Sequence, residues 1–227
     1  MHSAEVLDEV SRLRQAGRTP KEIARALNIR PAEATRLVRA AAARAETPEA
    51  AVIGCWLNAE WNTGLIIDGE PAGTGEWSGA GGLAQVLVAR RHRHDKVKIC
   101  GYLVDVFCLG VKNTYGPEIV DELELHRFLP KYFAAFGTEP VEAPIELARD
   151  IVLGGVEYAR GLGFEPHREF ADVADHLGTW SGTSSITFGK NGKPFFVNGP
   201  NDNPNSVIRT LTKSVGAGNF EVIVNLG

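Results

Sequence analysis

Lys98-Ile99-Cys100-Gly101-Tyr102-Leu103-Val104-Asp105-Val106-Phe107-Cys108-Leu109-Gly110-Val111 is the stretch that decides the fold. Taken as one strand, it is apolar on both alternating faces, which predicts a central strand covered on both sides. Leu83–Arg90 is a second apolar run, and His92–Lys96 lies between the two. The pair reads as a long β-hairpin. Helical periodicity follows at 117–136 and 144–162, with a shorter helix at 170–177. Asn191-Gly192 is a strong turn signal and predicts a second hairpin joining Ser185–Phe188 to Pro194–Asn198. Asn205–Val215 reads as a helix capped by Asn205, and Phe220–Val224 as a last strand. Upstream, Ala51–Leu57 and Gly64–Ile67 are short strand candidates, and Gly69–Gly82 reads as a glycine-rich loop. The expected class is α+β, a mainly antiparallel sheet packed with several helices, over residues 52–227.

Residues 1–46 read differently. Val6, Val10 and Leu13 space an amphipathic helix that Gly17 ends. Thr19-Pro20-Lys21-Glu22 opens a second helix. Thr19 is the N-cap, Pro20 occupies a position that needs no N–H, and Glu22 completes a capping box. Pro31 starts a third helix, with Ala34, Leu37 and Val38 facing inward. A linker is expected at 47–51, where Thr47-Pro48 breaks the periodicity.

Charge separates the same two parts. Residues 1–46 carry nine basic and six acidic side chains, a net of +3, whereas the rest of the chain sums to −7. A basic segment on an acidic body suits contact with an anionic polymer through the segment alone. The chain has 227 residues and is 44% hydrophobic, enough to bury a core, which excludes general disorder. No apolar run is long enough to span a bilayer, so no membrane partner is expected. Three cysteines are too few for a disulfide framework, and a cytoplasmic setting is the expectation.

Thr19–Ala40 resembles the helix-turn-helix family. The resemblance implies that the helix beginning at Pro31 enters a DNA major groove. Arg30, Thr35, Arg36 and Arg39 are then the candidate contacts, with Lys21 on phosphate. Glu33 opposes phosphate in that placement. A single unit neutralises few phosphates, so a homodimer is expected. The competing reading is a three-helix bundle used only for packing or dimerisation. Farther on, Gly54-Cys55-Trp56, Tyr102–Asn113, Gly155-Val156-Glu157-Tyr158-Ala159-Arg160, Leu162–His167 and Gly189–Pro194 resemble a bacterial helix-turn-helix domain-containing family with no established activity. That resemblance implies a fold but no mechanism. Asn113 and Glu169 stand where aspartate is expected in relatives.

Chemistry, if the body carries any, centres on Asp105. A carboxylate between Leu103 and Phe107 is costly unless paired, hydrogen-bonded or metal-bound. Lys112 is the candidate partner. His167 lies in a loop at a helix entry, and Cys108 with His167 is a conceivable nucleophile and base. Two functions therefore stand side by side. One is a DNA-binding regulatory protein whose C-terminal domain senses, dimerises or recruits. The other is a metal-assisted hydrolase or nuclease-like enzyme in which Asp105 and His167 hold a divalent metal and Lys112 stabilises developing charge. Apart from that metal, no cofactor is indicated, and the small-molecule ligand is unspecified. An accessible Asp105 favours the enzyme; a sealed one favours the regulator. The basic tip Arg90–His94 is a solvated turn or a second phosphate contact. Glu157 falls on the solvated face of its helix.

Overall fold

A computed structural model describes residues 3–46, 49–73 and 82–224. The linker residues 47–48 and most of the glycine-rich loop, 74–81, lie outside that description. The chain divides into two compact units, Met1–Ala50 and Ala51–Gly227.

The first unit contains α1 (Ser3–Gln15), α2 (Pro20–Ala26) and α3 (Pro31–Glu46). Its core is Val10, Ile23, Ala24, Ala34 and Ala41. Ala24 and Ala34 are small, so α2 and α3 can cross closely. Thr19 Oγ1 accepts the Glu22 N–H at 3.3 Å, and Glu22 Oε2 accepts the Thr19 N–H at 2.8 Å, completing the capping box. Asn28, at φ +52°, makes the turn between α2 and α3. Asparagine tolerates that left-handed conformation better than most residues.

The second unit is α+β. Its elements are β1 (Val52–Leu57), β2 (Ile66–Ile67), β3 (Glu70–Pro71), β4 (Leu83–Arg91), β5 (Val97–Asp105), β6 (Gly110–Val120), α4 (Glu122–Phe133), β7 (Val141–Glu142), α5 (Ile145–Gly161), α6 (Phe170–Val173), β8 (Ile186–Thr187), β9 (Phe195–Val197), α7 (Pro204–Ser214) and β10 (Glu221–Ile223). Five strands form an antiparallel sheet in the order β6-β5-β4-β1-β7. Both faces of the sheet are covered. Val86, Val88, Tyr102 and Val104 pack with Ile151, Val152 and Val156 of α5 and Val173 of α6. Leu87, Ala89 and Ile99 pack with Leu125, Leu129 and Phe133 of α4 on the other face.

Four expectations need correction. The run 98–111 is not one strand. It folds back through Val106–Leu109, so that Asp105 pairs with Gly110. Those four turn residues are apolar and carry no turn signature of their own. Val106, Phe107 and Cys108 are buried and Leu109 is half-buried, with backbone groups satisfied from far along the chain: the Val106 N–H donates to Gly82 O at 2.8 Å, and Val106 O accepts the Gly189 N–H at 3.0 Å. The strand β6 therefore takes the end of that run, Gly110-Val111, and continues over residues 112–116, left unassigned, and 117–120, expected in a helix; α4 starts at Glu122, where Asp121 supplies an N-cap. The hairpin expected around Asn191-Gly192 is only a turn. A bridge joins Lys190 to Lys193, but β8 pairs with β2, while β9 pairs in parallel with β10. Finally, Asn203 and not Asn205 caps α7, by accepting the Ser206 N–H at 3.1 Å.

Candidate functional site

On the first unit, α3 divides into two faces. At about 100° per residue, Ala34, Leu37, Val38 and Ala41 share the inward side. Thr35, Arg36 and Arg39 fall within one arc of about 100° on the opposite side. All three are exposed, as are Arg30 at the start of the helix and Lys21 on α2. Glu33 lies on the flank of that arc. Among the described residues, Lys21, Arg30, Arg36 and Arg39 form no ion pair, whereas Arg12 is tied to Glu9 at 2.6 Å and Arg18 to Glu22 at 3.7 Å. The Thr35 hydroxyl donates back to Pro31 O at 3.0 Å.

The second unit brings together part of the other constellation. Asp105 is 6% exposed. Its Oδ1 accepts the N–H groups of Phe107 and Cys108, both at 3.0 Å. This is the ordinary local use of an aspartate at a turn, a side chain closing on the backbone two and three residues ahead. Burial pushes its pKa up to about 6, against the opposing pull of Lys112 and of the turn N–H groups. Lys112 has a different direct partner from the one expected. Its Nζ donates to Asp202 Oδ2 at 2.6 Å, and the same oxygen accepts the Gly199 N–H at 2.7 Å. Asp105 thus feels Lys112 as a neighbouring charge, while Asp202 holds it.

Cys108 is fully buried. Burial, reinforced by the charge of Asp105, pushes its thiol far above the usual range. A thiol held in that form is a poor nucleophile. Cys55 and Cys100, also buried, are pushed up to about 12 by the same cause. His167 sits beside β6 through its backbone, its N–H donating to Val111 O at 2.8 Å. Its Nδ1 is buried without a hydrogen-bond partner among the described residues. Asn113 is exposed and accepts the Thr114 N–H at 2.9 Å. Among the described residues, no group of three or more His, Cys, Asp and Glu side chains is arranged to hold a metal ion.

Asp202 and Tyr158 are the members of this cluster that sequence reasoning misses. The Tyr158 hydroxyl donates to Phe107 O at 3.3 Å. Asp202 lies in Gly199–Pro204, where turn chemistry explains every residue, and only the ninety-residue pairing with Lys112 gives it a second role. Pairing at that separation leaves no periodic trace. Of the basic tip Arg90–His94, Arg90 is not solvated but buried, donating to His176 O at 2.6 Å and Leu177 O at 2.9 Å, and Arg91 lies 3.4 Å from Glu122. Glu157 is exposed, as its position on the wheel requires.

No protein-family model matches the chain, and no curated protein or solved structure matches it either. Among the described residues, no helix is long and apolar enough to cross a membrane.

Proposed function

We propose that the chain is a cytoplasmic DNA-binding regulatory protein that acts as a homodimer, with α3 as its reading helix and the α+β unit as its sensing, dimerisation or recruitment part. The observation that carries this reading is the outward arc of Thr35, Arg36 and Arg39, whose two guanidinium groups are exposed and without an acidic partner among the described residues. Side chains of that kind neutralise phosphates and reach base edges. The alternative enzyme needs a carboxylate that a substrate or metal can reach. Asp105 spends Oδ1 on two turn N–H groups and is 6% exposed, which favours the regulator.

The test is fluorescence anisotropy of the whole chain with mixed-sequence duplex DNA across a salt series. Binding that weakens steeply with salt is expected, and Arg36→Ala with Arg39→Ala should flatten the slope by about 1 for each phosphate no longer neutralised. An absence of binding at low salt, or an unchanged slope in the double variant, would overturn the reading. Sedimentation of the same samples tells whether the binding species is a dimer.

A further inference from the structure

A cleft of about 580 Å³ opens in the α+β unit between the first turns of α5 and residues 179–185. It is a groove open to solvent rather than an enclosed cavity, with Thr179, Ser181, Thr183 and Ser185 exposed along it. Among the described residues, its lining is carboxylates, a guanidinium and hydroxyls with one aromatic side chain, Trp180.

The cleft is held in shape from both ends. Leu177 and Ile186, which bracket the loop, are buried in the core. Arg149 Nε donates to Leu177 O at 2.8 Å, and Ser185 O accepts the Asp68 N–H at 3.0 Å. Gly178 and Gly182 take φ of +81° and +80°, turns that fit the loop between these anchors. Within it, the Trp180 indole N–H donates to Asp150 Oδ1 at 2.8 Å, which fixes the orientation of the ring. Ser181 Oγ lies 3.1 Å from Thr183 Oγ1, and Ser184 Oγ accepts the Ile186 N–H at 3.1 Å.

We propose that this cleft binds a small neutral or amino-substituted saccharide. A sugar ring presents one C–H face and a rim of hydroxyls. Trp180, half-buried and fixed by its bond to Asp150, is the apolar group of the lining on which such a face can stack. Carboxylates accept sugar hydroxyls with charge-assisted hydrogen bonds, and the loop hydroxyls donate or accept as required. The sign of the lining selects further. Glu146 and Asp150 outnumber Arg149, and Arg149 Nη1 lies 3.8 Å from Glu146 Oε1. Sugar phosphates and uronic acids are therefore disfavoured. The inference stands independently of DNA binding by α3.

Saturation-transfer NMR on the whole chain tests it, with millimolar neutral hexoses, pentoses, hexosamines and N-acetylhexosamines, and with glucose 6-phosphate and glucuronate as anionic counterparts. Transfer is expected from at least one neutral or amino sugar and from neither anion. Asp150→Asn keeps the acceptor for the indole and removes the charge, and should weaken binding roughly tenfold. Trp180→Ala should abolish it; if that variant does not fold, the Asp150→Asn result decides. Silence across the neutral and amino sugars overturns the proposal. So does equal binding of the anions, or binding unchanged in Asp150→Asn.

Discussion

Lys112 Nζ meets Asp202 Oδ2 at 2.6 Å, and this single ion pair ties the sheet edge at β6 to the turn that leads into α7. The two side chains are 20% and 14% exposed, so the pair is only partly screened by water. Removing either partner strands a charge in a half-dry place, and without Lys112 nothing positive opposes the upward push of burial on Asp105 as strongly. Lys112→Met should therefore cost about 2–4 kcal/mol, less than a wholly buried pair at its worst. Replacing both, Lys112→Met with Asp202→Leu, should recover part of that loss. All four tryptophans lie beyond residue 50, so denaturation followed by tryptophan emission follows this unit alone. If the double variant is no better than the sum of the singles, the pair is not coupled as its geometry implies.

Two buried groups pull stability in opposite directions with pH. Asp105, raised from 3.8 to about 6, is protonated in the folded chain while ionised in the unfolded chain between those values. Folding then binds a proton, so Asp105 contributes a stability that is lost as pH rises from about 4 to 6. His176 is lowered from 6.5 to about 4, chiefly by burial, with Nε2 3.1 Å from Val88 O. It stays neutral when folded, so its contribution is lost as pH falls from 6.5 to 4. Between about pH 4 and 6 the two slopes oppose each other in the wild type. Asp105→Asn keeps an oxygen for the Phe107 and Cys108 N–H groups and removes the buried charge. It should raise stability at pH 7 by about 2–3 kcal/mol and uncover the His176 slope, with stability then falling on acidification. A flat profile in Asp105→Asn would contradict the assignment to His176.

Gly101 and Tyr132 approach each other closely on the sheet. A Cβ on Gly101 would run into the Tyr132 hydroxyl, which donates to Val86 O at 3.3 Å. Glycine inside a strand commonly marks such an approach. Gly101→Ala should cost about 1–3 kcal/mol, and Tyr132→Leu should relieve most of the added cost, a coupling readable in a double-mutant cycle. Additive losses would mean that Gly101 is required for some other reason.

Local rules account for what was legible in the sequence. The capping box at Thr19, the long β4–β5 hairpin and the α5 face all rest on such rules, and they survive folding. The turn at Val106–Leu109 escapes them because its residues are apolar and its backbone is satisfied by Gly82 and Gly189, far away in the chain. Asp105 reads as a costly mid-strand carboxylate for that reason; at a strand end it is an ordinary turn residue. The strands flanking Asn191-Gly192 part company because β9 takes β10 as its neighbour, a choice that turn chemistry does not encode. The candidate basic face needed only helical spacing. The Lys112–Asp202 pair needed the whole fold.

Thr19 joins the fold of the first unit to its proposed function. Thr19 and Glu22 satisfy each other's backbone N–H groups at the entry to α2, and both are exposed. Removing the hydroxyl with Thr19→Ala deprives the Glu22 N–H of its acceptor and should destabilise α2 by about 1 kcal/mol. α2 is a seven-residue helix, too short to persist without its cap and its packing on α3 through Ile23 and Ala24. Amide exchange over Pro20–Leu27 should accelerate about fivefold, since each 1.4 kcal/mol is a factor of ten in an opening equilibrium. Tryptophan emission should not change, because no tryptophan lies in this unit. If α3 reads DNA only when α2 buttresses it, the variant should also bind duplex DNA more weakly with an unchanged salt slope, since Arg36 and Arg39 are still present. A changed slope would mean that Lys21 or its neighbours on α2 neutralise the phosphates themselves.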